Sequence, residues 1–60
     1  MCIYPKDIMQ ITGRSERYSR ELLQKIRTDL GKNEHQFISV REFCSWAGLN
    51  YEEVRQILKN

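Results

Sequence analysis

Ile3-Tyr4-Pro5-Lys6-Asp7-Ile8-Met9-Gln10-Ile11-Thr12-Gly13 and Ile38-Ser39-Val40-Arg41-Glu42-Phe43-Cys44-Ser45-Trp46-Ala47-Gly48 align without a gap, and this repeat decides the fold. The register continues beyond the glycines. Ser15 falls on Asn50, Arg20 on Arg55, and Leu22-Leu23 on Ile57-Leu58. Each copy reads as a short helix, a glycine turn, a polar cap and a second helix.

The local chemistry supports each boundary. Pro5 suits the first residue of a helix, where its missing N–H would be unpaired anyway. Ile8 and Ile11 form one apolar stripe, and Gly13 ends the helix in a left-handed conformation open to glycine. Ser15 caps the next helix, which runs to about residue 30, with Gly31 as its stop. On that helix Tyr18, Ser19, Leu22, Leu23, Ile26 and Leu30 share one side, and Arg17, Arg20, Gln24 and Arg27 share the other. Glu21 and Lys25 stand at i,i+4 spacing between the two sides. Residues 32–36 form a polar connector, and Phe37-Ile38 matches Cys2-Ile3 as an extended piece. Ser39 and Glu42 have capping-box spacing. Phe43, Trp46 and Ala47 give the third helix its stripe, Gly48 closes it, Asn50 caps the fourth, and Val54, Ile57 and Leu58 face inward there.

These signals predict an all-α fold of four helices within a single domain, residues 1–60. The two units, 3–30 and 38–59, are expected to relate by a pseudo-twofold axis. A minimal antiparallel ribbon is expected between residues 2–4 and 37–39.

Sixty residues make a small core. Such a chain buries only about 60% of its unfolded surface, and its core supplies roughly 3–5 kcal/mol of net stability. No apolar run approaches the roughly 20 residues of a membrane span, and no apolar stretch of a secretory signal opens the chain, so a soluble cytoplasmic protein is expected. Cys2 and Cys44 have no metal-ligand spacing. Their separation could close a disulfide, but two reduced thiols are expected, with Cys44 buried as a small apolar residue. The net charge of +2 is unevenly spread. From Arg14 to Lys32 six cations stand against three acids, whereas from Glu34 onward four acids outnumber three cations. Electrostatics therefore assigns a polyanion to the first unit.

The pattern apolar-x-x-apolar-x-Gly, then a cap and an amphipathic helix, resembles the helix-turn-helix superfamily of small bacterial DNA-binding proteins. The second unit resembles the excisionase-like and MerR-like motif at Ser39, Gly48 and Leu49, with Val54 and Ile57 as the buried pair. The first unit matches at Gly13 and Leu22. It departs at Ser19, where the family has a small apolar residue, and at Arg14, which stands in the place of Leu49. The resemblance implies a short regulator of transcription or recombination, of a kind often carried by phages and mobile elements.

The expected DNA-contacting residues are Arg14, Ser15, Arg17, Tyr18, Arg20, Gln24 and Arg27. Arginine grips phosphates or pairs bidentately with guanine, and glutamine pairs with adenine. The competing reading of this arc is a solvated helix face. Tyr51, Arg55 and Gln56 are the equivalent surface of the fourth helix, where Glu52 and Glu53 would repel phosphates and packing or subunit contact is expected instead. Trp46 is expected in the core rather than as a stacking platform, and His35 on the surface. With no nucleophile–base set, carboxylate pair, P-loop or metal cluster, no enzyme activity, cofactor, metal or small-molecule substrate is expected. The expected partners are double-stranded DNA and a second copy as homodimer, with no membrane. The alternative is a protein-interaction or oligomerisation module on the same scaffold.

Overall fold

The computed structural model describes residues 1–59; Asn60, the last residue of the expected domain, lies outside the described residues. Four helices make up the described fold: α1 (Pro5–Thr12), α2 (Glu16–Asp29), α3 (Val40–Ala47) and α4 (Tyr51–Leu58). The all-α expectation holds.

Each boundary has a local cause. α1 opens on Pro5, and the Tyr4 N–H donates to Asp7 Oδ2 at 2.9 Å, an acidic N-terminal contact that favours the helix dipole. It ends at Gly13, whose φ of +71° is left-handed and whose N–H donates to Met9 O at 2.8 Å. α3 ends the same way at Gly48, φ +73°. Ser15 Oγ accepts the Tyr18 N–H at 3.1 Å, and Asn50 Oδ1 accepts the Glu53 N–H at 3.1 Å. The glycine ends and the polar caps of α2 and α4 thus repeat between the units, whereas Tyr4 makes no side-chain cap bond where Ser39 Oγ accepts the Glu42 N–H at 3.0 Å.

Among the described residues a single antiparallel bridge joins Cys2 to Ser39, flanked by Ile3 N–H to Ile38 O at 2.8 Å and Val40 N–H to Met1 O at 2.9 Å. Ile3, Ile38 and Val40 are thereby buried, together with Ile8, Leu23, Ile26, Phe43, Cys44 and Val54. Both cysteines are free, and burial pushes the Cys44 thiol pKa up.

α1 packs against α2 and α4, and α3 packs against α4. A twofold exchanging the units would match the α1–α4 contact with an equal one between α2 and α3. Those helices are joined at their ends by a polar tie, Trp46 Nε1 donating to Asp29 Oδ2 at 2.9 Å. The packing therefore does not confirm the pseudo-twofold, and the helices it would exchange differ in length, 14 residues in α2 and eight in α4.

The ends of two helices correct the expected apolar stripes. Leu30, the C-cap just past the last residue of α2, is exposed. Ile57, expected to be buried with Val54, is exposed too; Leu58 takes the inward place against the core. Trp46 is half-buried and packed on the core, as its position required, with its indole N–H bonded at the rim. Among the described residues no helix is long and apolar enough to cross a membrane.

Candidate nucleic-acid interface

α2 has one buried face, formed by Ser19, Leu23 and Ile26, and this fixes what it presents outward. Arg14, Ser15, Arg17, Tyr18, Arg20 and Gln24 are all exposed, the first five at the cap and first half of the helix and Gln24 one turn beyond Arg20. Arg27 is half-buried.

The side chains are not equally available. The Arg14 guanidinium lies over the Tyr18 ring, 5.1 Å from its centroid, so cation and ring form one unit at the helix start. Ser15 Oγ accepts the helix N–H of Tyr18, and its hydroxyl proton stays able to donate. Arg17 Nε contacts Glu21 Oε1 at 3.3 Å, and Arg20 Nη2 contacts Glu16 Oε2 at 2.6 Å.

These pairs revise the sequence reading twice. Glu21 was expected to pair with Lys25; it pairs with Arg17, and Lys25 makes no ion pair among the described residues. The arginine arc holds no acid by helical angle, yet Glu16 and Glu21 reach into it from its edges. Both pairs are open to water, with side-chain exposures of 57–90%, so each contributes only about 0.3–0.5 kcal/mol. They are easily opened by a competing partner.

Arg27 is tied down instead. Its Nε donates to Gln36 O at 3.0 Å and its Nη1 to Gln24 Oε1 at 3.4 Å. It staples the connector back onto α2. Lys32 does the same from the other side, its Nζ donating to Phe37 O at 2.9 Å and Glu42 Oε1 at 2.8 Å. Glu42 Oε1 also accepts the Ser39 N–H at 2.9 Å. The Lys32 ammonium first, and the Ser39 amide second, hold the Glu42 carboxyl below its ordinary pKa. Two cations counted toward the basic first unit are thus engaged in shaping the loop. His35 sits exposed in that loop.

The equivalent face of α4 is differently built. Arg41 stacks on Tyr51 at 4.2 Å, and Arg55 Nε lies 3.7 Å from Glu52 Oε2. Gln56 is exposed beside them, with Glu52 and Glu53 in the first helical turn.

One surface feature lies between helices rather than along any one of them. A shallow groove between α1 and the start of α2 is lined by Tyr4, Pro5, Lys6, Met9, Glu16 and Arg20. Tyr4 also meets Phe37 edge-on, with ring centroids 6.3 Å apart and both rings exposed. Arg20 therefore belongs both to the arc and to this groove. The alignment of Tyr4 with Ser39 hid it, since the outward ring breaks the repeat.

No family model, curated protein or solved structure matches the chain.

Proposed function

We propose that this protein binds duplex DNA through α2 and acts as a small regulator of transcription or recombination. The observation that carries the reading is the exposed cluster of Arg14, Ser15, Arg17, Tyr18 and Arg20 at the N-terminal half of a helix following a glycine turn, with Gln24 exposed one turn further on. A helix so presented fits the major groove with its N-terminal residues toward the bases. Its arginines suit phosphates and guanine, and Gln24 suits adenine. Arg27 supports the interface by holding the connector rather than by touching DNA.

Binding of a random duplex across a salt series tests this. Three phosphate contacts from Arg14, Arg17 and Arg20 give a log K against log salt slope near about −2.7, at about 0.9 per contact. Changing Arg17 and Arg20 together to alanine should flatten it by roughly 1.8. A wild-type protein with no salt-sensitive affinity for duplex DNA would refute the reading. The exposed Tyr4–Phe37 pair supports the second reading, a protein-interaction or self-association module. A mass that rises with concentration, without DNA affinity, would favour it.

A further inference from the structure

From Glu34 onward acids outnumber cations, yet the three cations there stand together. The Arg41 guanidinium lies over the Tyr51 ring, 4.2 Å from its centroid, and Tyr51, Arg55 and Lys59 line one shallow depression with Met1. Tyr51, Arg55 and Lys59 follow at four-residue steps, a row along one line of α4 and its C-cap. The acids of this region do not neutralise the row. Glu34 stands in the connector, and Glu42 is taken by Lys32 and the Ser39 amide. Glu53 is two residues from both Tyr51 and Arg55, so it does not face the row. Glu52 touches it at one point, 3.7 Å from Arg55 Nε, with both side chains open to water. We infer that this row docks an acidic helical segment of a partner protein, one that presents an apolar residue and two carboxylates at four-residue steps.

Spacing and charge select this occupant. A second helix advances by the same step of about 6 Å for every four residues, so two of its carboxylates reach Arg55 and Lys59 together. An apolar side chain one turn away then meets the Tyr51 ring and the Met1 side chain, which form the apolar part of the depression. The Arg41 guanidinium, held over the ring, keeps N–H donors for a further carboxylate. Duplex DNA is the poorer occupant. It carries a charge for about every 1.7 Å of its axis, so it would set phosphates against Glu52 as well as against the cations. A peptide places its carboxylates opposite the cations alone and leaves Glu52 facing water. No residue of α2 takes part, so the two surfaces are open to separate partners.

The probe is a helical peptide of alanine and glutamine that carries one leucine and two glutamates at four-residue steps. It is labelled for fluorescence anisotropy and titrated with the full chain at low ionic strength, where exposed charges are least screened. Wild type should bind it, and replacing both peptide glutamates by glutamine should weaken binding about fivefold, the combined loss of two exposed ion pairs. Arg55→Ala/Lys59→Ala should lose as much, with a melting curve close to wild type because both side chains are exposed. Arg55→Glu/Lys59→Glu should reject the glutamate peptide and accept a lysine peptide of the same spacing, an exchange that a folding defect does not produce. Arg17→Ala/Arg20→Ala should bind the glutamate peptide like wild type. Equal loss from that α2 variant would show general attraction to positive charge, and undiminished binding by the α4 alanine variant would place the peptide elsewhere; either overturns the inference. A random duplex that displaces the peptide, and whose own binding weakens in the α4 alanine variant, would make DNA the occupant and overturn it too. A wild-type protein that does not bind the glutamate peptide refutes it outright and leaves DNA binding by α2 untouched.

Discussion

Ser19 stands where the repeat places Val54, and it has no exposed surface at all. Its Oγ donates to Ser15 O at 2.9 Å, and its own N–H donates to the same carbonyl at 3.0 Å. Two substitutions separate what its size does from what its hydroxyl does. Ser19→Ala leaves Ser15 O satisfied by the remaining N–H, so no buried acceptor is orphaned. The lost hydrogen bond costs about 0.5–1.5 kcal/mol, offset by roughly 0.5 kcal/mol of helix propensity. Relief from burying a hydroxyl offsets more. The net change should lie within about 0.5 kcal/mol of zero, a shift in Tm of at most about 4 °C for so small a domain. Ser19→Val adds a methyl group and a β-branch to a closed site on the face of α2 that meets α1. Overpacking of that kind costs about 1–3 kcal/mol, a large part of a stability near 3–5 kcal/mol. Thermal melts followed by circular dichroism read both variants. A valine variant as stable as wild type would mean that site 19 has room for the residue its counterpart carries, and that close packing does not explain the serine. An alanine variant losing more than about 2 kcal/mol would mean that the hydroxyl itself is required.

Gly48→Ala should cost about 1–2 kcal/mol from its left-handed backbone alone, because nothing lies within 4 Å of the added Cβ. Gly48→Asn should cost less, since asparagine tolerates that region, and equal melts for all three proteins would contradict this. Glu42 has a lowered pKa in the folded protein, so its contribution is present above its unfolded pKa and is lost as pH falls through the folded one. Glu42→Gln should therefore destabilise the protein at neutral pH and flatten the stability loss below about pH 5, and an unchanged acid limb would show that the Lys32–Glu42 pair is immaterial.

The helices were legible because their ends carry strong local chemistry. Pro5, Gly13, Ser15, Ser39 and Gly48 each decide a boundary through their own backbone or side chain, and α1 and α3 begin and end where those residues place them. Partners across space were less legible. Periodicity puts Leu30 and Ile57 on the correct sides of their helices, but exposure depends on whether a neighbouring helix extends that far. Helical angle likewise puts the arginine arc opposite the core, but it does not say which of Arg17 and Lys25 Glu21 will take. Arg27 shows the limit most clearly. On a helical wheel it belongs with Arg20 and Gln24, and only the path of the connector shows its guanidinium bonded to Gln36 O. The expected ribbon sets Tyr4 opposite Phe37, but the pattern carries no signal that both rings stay exposed and meet edge-on.

The central proposal is that α2, rather than α4, meets DNA. Amide chemical-shift mapping during titration with a short random duplex tests it most directly. The expected result is shifts concentrated at Arg14, Ser15, Arg17, Tyr18, Arg20 and Gln24, weakening as salt is raised, with Tyr51, Arg55 and Gln56 little moved. Shifts centred on α4 would assign the contact to the wrong helix, and a spectrum unchanged by duplex DNA would contradict the proposal altogether.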